Sequence, residues 1–244
     1  MELVVLGSGG GWARRHGAAS GYLLRQDGFN LWLDAGTGTM ANLQEHVELS
    51  DIDAVVVSHR HFDHFLDLYP FWLSLWWPSR SENPDPIPLY APPGMFEHAL
   101  QLEEHLPLGF ASTVVEPGRP FEAGPFRIAT AQTEHPVPTL GLRVEADGAS
   151  LAYSADSGPS DAWVDLARGA DVALSEATWL EPGPADPIHM TASEAGEAAS
   201  RAGVGRLVLT HLWPALDPDE SVRRAGEAFD GPVEAAWEGM RIHP

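Results

Sequence analysis

Residues 58 to 64 read Ser-His-Arg-His-Phe-Asp-His, which puts His59, His61, Asp63 and His64 within six positions. Imidazole nitrogens and carboxylate oxygens are ligands for zinc and similar divalent ions. The cluster follows the apolar run Asp53-Ala-Val-Val-Val57, the pattern of a buried strand. A loop at the end of such a strand is rigidly supported yet open to solvent, so ligands there are both fixed and accessible. In this H-x-H-x-D-H spacing, His59 and His61 can converge on one ion while Asp63 and His64 face a second.

Three further candidates recur at the ends of apolar strands. They are His135 in "QTEHPVPTLGL", Asp156 in "LAYSADSGP" and His211 in "LVLTHLWP". Taken singly, a histidine after a strand is ordinarily a polar edge residue, and Asp before Ser-Gly-Pro ordinarily forms a turn. Together with residues 59–64 they make seven ligands, enough for two ions with a position open for water, and Asp156 could bridge the pair. The chain has no cysteine, so any metal must be held by His, Asp or Glu.

Two sets of strands must carry these residues. In the first half, apolar runs predict strands at 3–7, 21–25, 31–34 and 54–58, with helices at 39–47 and 64–77. In the second half, strands are expected at 126–132, 139–145, 150–154, 171–175, 206–210 and 232–236, with helices at 161–168, 191–202 and 217–229. Thr191 with Glu194 three residues on forms a capping box for the second of these helices. Strands alternating with helices imply an α/β layered domain over residues 1–244. The halves also look alike: "DAVVVS" and "DVALS" each open on Asp and end at Ser. The 44% of hydrophobic residues suffices for a sizeable core.

The charge balance narrows the partners. Thirty-five acidic against 14 basic residues give a formal net charge of −21, a poor endowment for neutralising the phosphates of long nucleic acids. The first residues lack the basic start and longer apolar stretch of a signal peptide, and "YPFWLSLWW" (69–77) falls far short of the roughly 20 residues of a membrane span. A soluble, cytoplasmic protein without membrane contact is expected.

With "SHRHFDH", His135, "YSADSG", "SEATW" and "LTHLWP" in this order, the chain resembles the metallo-β-lactamase superfamily. Within it, the resemblance is to the ribonuclease Z-like phosphodiesterases and to bacterial cyclic-nucleotide phosphodiesterases of the same fold. It extends from "LGSGGG" and "LWLDAG" to the last third of the chain. It implies a four-layer αββα sandwich with two divalent ions at the mouth between the sheets, zinc first, with manganese or iron as alternatives. It further implies that His59, His61 and His135 bind one ion, that Asp63, His64 and His211 bind the other, and that Asp156 bridges. Asp34 in "LDAG" matches an aspartate that supports the site from behind.

A two-metal site serves phosphodiesters, lactones, thioesters and β-lactams alike. The segment "PIHMTASEAGEAA" separates them, because it resembles the H-S-T-plus-helix segment of the ribonuclease Z-like branch, whose histidine acts near the scissile phosphate. That residue is His189 here, a general acid or transition-state stabiliser for a departing alkoxide. Glu176 in "SEATW" matches an acidic residue of the same branch that would orient His189. The catalytic set expected is therefore Asp63, Glu176 and His189. The chain departs from ribonuclease Z between His135 and Asp156, only 21 residues apart and filled by two strands and a turn at Asp147-Gly148. No room remains for the arm that grips tRNA, so a small phosphodiester such as a cyclic nucleotide is the expected substrate. A thioester or lactone hydrolase, tRNA 3′ processing and a non-catalytic metal-binding domain are the alternatives.

Substrate-side features are fewer. Arg14, Arg15 and His16 lie in a glycine-rich loop after the first strand, and arginine suits phosphate. Phe71, Trp72, Leu75 and Trp76 have helical spacing and are expected mostly in the core, with any exposed remainder serving a dimer interface or a base-stacking wall. The resemblance implies a homodimer.

Overall fold

Period-two alternation along the strands is what stacks this chain into layers. In the computed structural model, which describes residues 1–79, 85–182 and 188–244, strand β1 (Glu2–Gly7) turns Leu3 and Val5 to one face and Val4 and Leu6 to the other, and all four are buried. A strand with both faces covered needs a layer on each side. One sheet runs, in spatial order, β14 (Arg241–Ile242), β1, β2 (Gly21–Gln26), β3 (Phe29–Ala35), β4 (Ala54–Val56), β5 (Ile87–Ala91), β6 (Phe110–Val114). The other runs β13 (Val233–Ala235), β12 (Arg206–Thr210), β11 (Val172–Glu176), β10 (Ala149–Tyr153), β9 (Leu140–Ala146), β8 (Phe126–Gln132), β7 (Phe121–Ala123).

Leu3, Val5, Leu24 and Leu33 of the first sheet share one core with Ile128, Val144, Leu151 and Leu174 of the second. Helices α1 (Thr39–Leu43), α2 (Phe62–Phe65), α3 (Leu68–Ser79) and α4 (Met95–Ala99) belong to the first sheet's outer face, where Val4, Trp32 and Val55 pack with Phe65, Leu68 and Phe71. Helices α5 (Asp161–Ala167), α6 (Ala192–Ala202) and α7 (Pro218–Gly226) cover the second sheet, where Leu207 and Leu209 meet Trp163, Ala195 and Ala199. The order is αββα, as the resemblance implies. No helix among the described residues is long and apolar enough to cross a membrane.

The two sheets repeat one pairing scheme. β14-β1-β2-β3 and β7-β8-β9-β10 are antiparallel, while β3-β4-β5-β6 and β10-β11-β12-β13 are parallel. The similar stretches "DAVVVS" and "DVALS" fall on β4 and β11, which hold the same place in each scheme.

Several expected boundaries change. The helix expected at 64–77 is two, α2 and α3. Pro70 has no N–H and its ring would clash with the carbonyl of Leu66 in a continuous helix, and the amide of Asp67 turns instead to the carbonyl of Ala35 at 2.9 Å. The helix expected at 39–47 ends at Leu43, and α7 ends at Gly226 rather than 229. Strands β5, β6, β7 and β14 were not expected from the sequence. The capping box of α6 is present, with Thr191 and Glu194 each closing on the other's backbone. Between His135 and Asp156 lie β9, β10 and a two-residue turn in which Asp147 and Gly148 have φ of 50° and 81°. Both values are positive, as this hairpin turn requires, and the segment holds no arm.

Candidate metal centre

β1, β3, β4, β8, β10, β11 and β12 all point the same way along the sandwich, so the loops leaving them share one edge. Asp34 closes β3, His59 to His64 follow β4, His135 follows β8, Asp156 follows β10, Glu176 ends β11 and His211 follows β12. The sheets are stitched together there: the amide of Leu140 donates to the carbonyl of Ser58 at 3.0 Å, and the amide of Gly10 to that of Leu212 at 3.0 Å. Asp34, Ala155 and His211 have left-handed φ of 55°, 51° and 53°. Such values in non-glycine residues cost about 1–3 kcal/mol each and persist where the surroundings enforce them, often at functional sites.

The seven candidate ligands converge in two sets that share Asp156. The ligand atoms of His59, His61, His135 and Asp156 lie within 4.8 Å of one another, as do those of Asp63, His64, Asp156 and His211. In the first set, His61 Nδ1 is 2.9 Å from His135 Nε2, and Asp156 Oδ2 is 3.5 Å from His59 Nε2 and 3.8 Å from His135 Nε2. In the second, Asp156 Oδ1 is 3.2 Å from His64 Nε2 and 3.3 Å from His211 Nε2, with Asp63 Oδ2 at 3.5 and 3.1 Å from the same two nitrogens. A tetrahedron with metal–ligand bonds near 2.0–2.1 Å has edges of about 3.3–3.4 Å. The two oxygens of Asp156 thus face different sets, the geometry of a bridging carboxylate.

The buried polar inventory agrees. His59 Nε2, His64 Nε2 and Asp156 Oδ1 are buried without a hydrogen-bond partner, an expensive condition that a coordinated cation would relieve. The opposite ring nitrogens are engaged. His59 Nδ1 is 3.0 Å from Ser58 Oγ, which donates to Asp34 Oδ2 at 2.8 Å. His64 Nδ1 meets Asp34 Oδ2 at 2.8 Å, His135 Nδ1 meets the Ile188 carbonyl at 3.1 Å, and His211 Nδ1 meets Thr178 Oγ1 at 2.8 Å. With Nδ1 engaged by an outer partner, Nε2 of each ring is the nitrogen turned to the cluster, the arrangement that outer partners impose on metal-bound histidines. The residues fit two divalent cations.

Charge is arranged accordingly. Burial drives the His61 and His135 imidazoles down to about 4 and about 3, outweighing the Asp156 carboxylate, so both are neutral near pH 7. Asp63 is held below its ordinary value: burial opposes its charge, but His64 and His211 outweigh it.

Glu176 is fully buried and accepts from the amides of Ser157 at 2.6 Å and Met190 at 3.2 Å and from the Thr178 hydroxyl at 2.6 Å. It also faces His189 Nδ1 at 2.8 Å. Burial opposes the charge on His189, yet the Glu176 carboxylate pushes the imidazole up to about 9. The His189 ring lies 5.2 Å from that of His135 and 5.4 Å from that of His211, above both ligand sets. Thr178, Ser58, Tyr153 and the amide of Gly11 were not singled out in the sequence. Tyr153 donates to Asp34 Oδ2 and Gly11 N to Asp63 Oδ2, each at 2.8 Å. Hydroxyls and amides carry no spacing signature, and these contacts exist only once the sheets are assembled.

Arg14, Arg15 and His16 lie in a small turn closed by backbone hydrogen bonds between Arg14 and Gly17. Arg14 and His16 line a groove with Pro218, Trp237 and Glu238, while Arg15 is exposed. Of the aromatic run, Phe71 and Trp72 are buried in the outer core, and Leu75 and Trp76 pack against it.

Two facing mixed sheets with a His/Asp cluster on their shared edge define a metallo-hydrolase scaffold. The chain matches the beta-lactamase superfamily domain over residues 29–212, and it belongs to that superfamily. It is 31% identical over 251 residues to the probable metallo-hydrolase YhfI of Bacillus subtilis (strain 168), covering 98% of this chain and 100% of that protein. The crystal structure of YhfI superposes with a TM-score of 0.91 at 29% identity, over 99% of this chain and 98% of that one. Ribonuclease Z of Mycobacterium bovis (strain BCG / Pasteur 1173P2) is 29% identical over 278 residues, covering 100% of this chain and 99% of the enzyme.

Proposed function

We propose that this protein is a dinuclear metal-dependent phosphodiesterase acting on a small phosphodiester, with a cyclic nucleotide as the leading candidate. In this reading His59, His61 and His135 hold one ion, Asp63, His64 and His211 the other, and Asp156 bridges them, with zinc the expected metal. Ions held there would supply an activated water and stabilise charge on the attacked and departing oxygens.

The observation that carries the reading is the Glu176–His189 pair above the ligands. Glu176 fixes Nδ1 and leaves Nε2 as the atom that meets the substrate. A proton held there serves an alkoxide leaving group, which a phosphodiester expels and which needs neutralising. Thr178 couples the pair to the ligands, since its hydroxyl touches both Glu176 and His211. Ribonuclease Z among the relatives supports phosphodiester chemistry for the scaffold. The hairpin between His135 and Asp156 and the net charge of −21 favour a small ester over tRNA. A homodimer is part of the same proposal, and light scattering that returns the mass of one chain would refute that part.

The test is turnover of cyclic AMP and bis(p-nitrophenyl) phosphate by zinc- and manganese-loaded protein, beside His189→Ala. Cleavage that falls about a hundredfold or more in the variant is expected. No cleavage of either ester with both metal positions filled would refute the reaction. Thioester or lactone turnover indifferent to His189 would establish the alternative.

A further inference from the structure

Three tryptophans from three separate segments meet beside the second ligand set. Trp12 follows Gly11, whose amide holds Asp63. Trp179 follows Thr178, which holds His211, and Trp213 stands two residues beyond His211. Trp12 and Trp213 have ring centroids 4.7 Å apart at an interplanar angle of 81°, and Trp213 and Trp179 lie 4.8 Å apart at 37°. The tip of the Trp213 indole covers Gly11, where an added Cβ would sit 3.3 Å from Cζ3.

The cluster is tied to the site. Gly10 N donates to the Leu212 carbonyl at 3.0 Å and Leu212 N to the Ser8 carbonyl at 3.2 Å, so the loop bearing Trp12 and the segment bearing His211 and Trp213 form one unit. Trp179 N donates to the Met190 carbonyl at 3.2 Å, which joins the third ring to the neighbour of His189. Trp179 and Trp213 are half-buried, while Trp12 is 49% exposed. An exposed indole needs no explanation by itself. This one is backed by two further indoles and lies one residue from the group that fixes a candidate metal ligand. Trp12 and Trp213 meet at a near-perpendicular angle, and Trp12 stays 49% exposed, so part of its indole remains accessible to another planar ring.

We propose that Trp12 is the stacking platform for the base of a mononucleotide phosphodiester, with Trp213 and Trp179 holding it in place. The proposal rests on the phosphodiesterase reading and names the group on the substrate that the ligand cluster itself does not recognise. Stacking reads any base by its π face and supplies binding that an acidic chain cannot obtain from phosphate contacts. The same chemistry could come from the end of an oligonucleotide, and the low count of basic residues favours the single nucleotide.

Calorimetry on the zinc-loaded protein tests this with AMP, ribose 5-phosphate and the dinucleotide pApA. The parent should bind AMP roughly tenfold or more tighter than ribose 5-phosphate. Trp12→Ala should remove that preference with ribose 5-phosphate binding unchanged, and Trp12→Phe should retain most of it. Three results would overturn the platform: no preference in the parent, a preference that survives in Trp12→Ala, or an equal loss for both ligands. A further tenfold gain for pApA would overturn the mononucleotide assignment. Turnover of bis(p-nitrophenyl) phosphate by the parent reports separately on the reaction, so base preference without turnover refutes the reaction and turnover without base preference refutes the platform.

Discussion

Asp34 shows how much of the centre depends on one side chain that touches no substrate. It accepts from the Ser58 amide at 2.7 Å, the Ser58 hydroxyl, His64 Nδ1 and the Tyr153 hydroxyl. Replacing it with asparagine turns one acceptor oxygen into a donor, so at least one of these N–H or O–H groups must face another donor. His64 and, through Ser58, His59 lose their orientation. Asp34→Asn should weaken metal binding about 10–100-fold, more at the second set, where the contact is direct, and should cost about 1–3 kcal/mol of stability. Chelator competition with metal analysis checks this, and unchanged affinity at both sets would show that Asp34 serves the fold alone. At this scale the sequence is readable wherever residue type and spacing carry the message. The six-position cluster, His135, Asp156 and His211 stand after apolar strands as residues of ligating type, Glu176 and His189 enter through the resemblance of "SEATW" and "PIHMTASEAGEAA", and the structure brings them all together. Ser58, Thr178, Tyr153 and the three tryptophans carry no such signal, because the contacts that matter, such as Ser58 with Asp34, Thr178 with His211, Tyr153 with Asp34 and Trp12 with Trp213, join segments far apart in the chain that no local pattern connects.

Glycines divide the elements into those that merely turn the chain and those that admit the site. Gly148, in the β9–β10 hairpin, has nothing within 4 Å of an added Cβ and a φ of 81°. Gly148→Ala should therefore cost only the left-handed conformation, about 1–2 kcal/mol, and leave metal content intact. Gly36, just past β3, is different: a Cβ there would sit 2.0 Å from the carbonyl of Asp63 and 2.5 Å from that of Ser20. Gly36→Ala must move the loop that carries Asp63 and His64. It should lose metal from the second set and lower the melting temperature further than Gly148→Ala does. Equal melting temperatures and equal metal content in the two variants would contradict this. The elements themselves are legible to the extent that one force shapes them. Strands with both faces buried, such as β1 and β12, appear as continuous apolar runs. β5 is apolar but carries Pro88, which argues against a strand in the interior of a sheet, and β6 is an edge strand with only Phe110 buried, so neither reads as a buried strand as its neighbours do. The break between α2 and α3 is written in Pro70, but the apolar spacing across it conceals the break.

For the whole molecule, the decisive balance is between protons and metal at the mouth of the sandwich. In the first set, burial keeps His61 and His135 neutral down to about pH 4 and about pH 3. A folded-state value below the ordinary 6.5 means that the unfolded chain binds more protons in this window. Stability from these two groups is therefore full above pH 6.5 and falls as the pH drops through 4 and 3. The second set is the opposite. Burial opposes a charge on His64, but Asp156, Asp63 and Asp34 surround it and raise its value well above 6.5. Its contribution to the metal-free fold is present below pH 6.5 and lost as the pH rises through that higher value. A cation entering the second set must displace that proton, whereas the first set has none to give up. Metal binding should therefore proceed in two steps, the first nearly independent of pH between 6 and 8 and the second tightening as the pH rises and releasing about one proton per ion. Titration calorimetry with zinc, in buffers of different ionisation enthalpy, reads both quantities. On acidification the second ion should leave first, and an ion at His59, His61 and His135 should leave only at a lower pH. Loss of both ions in a single step, without proton release unique to one of them, would show that Asp156 couples the two sets too tightly for their different charges to matter.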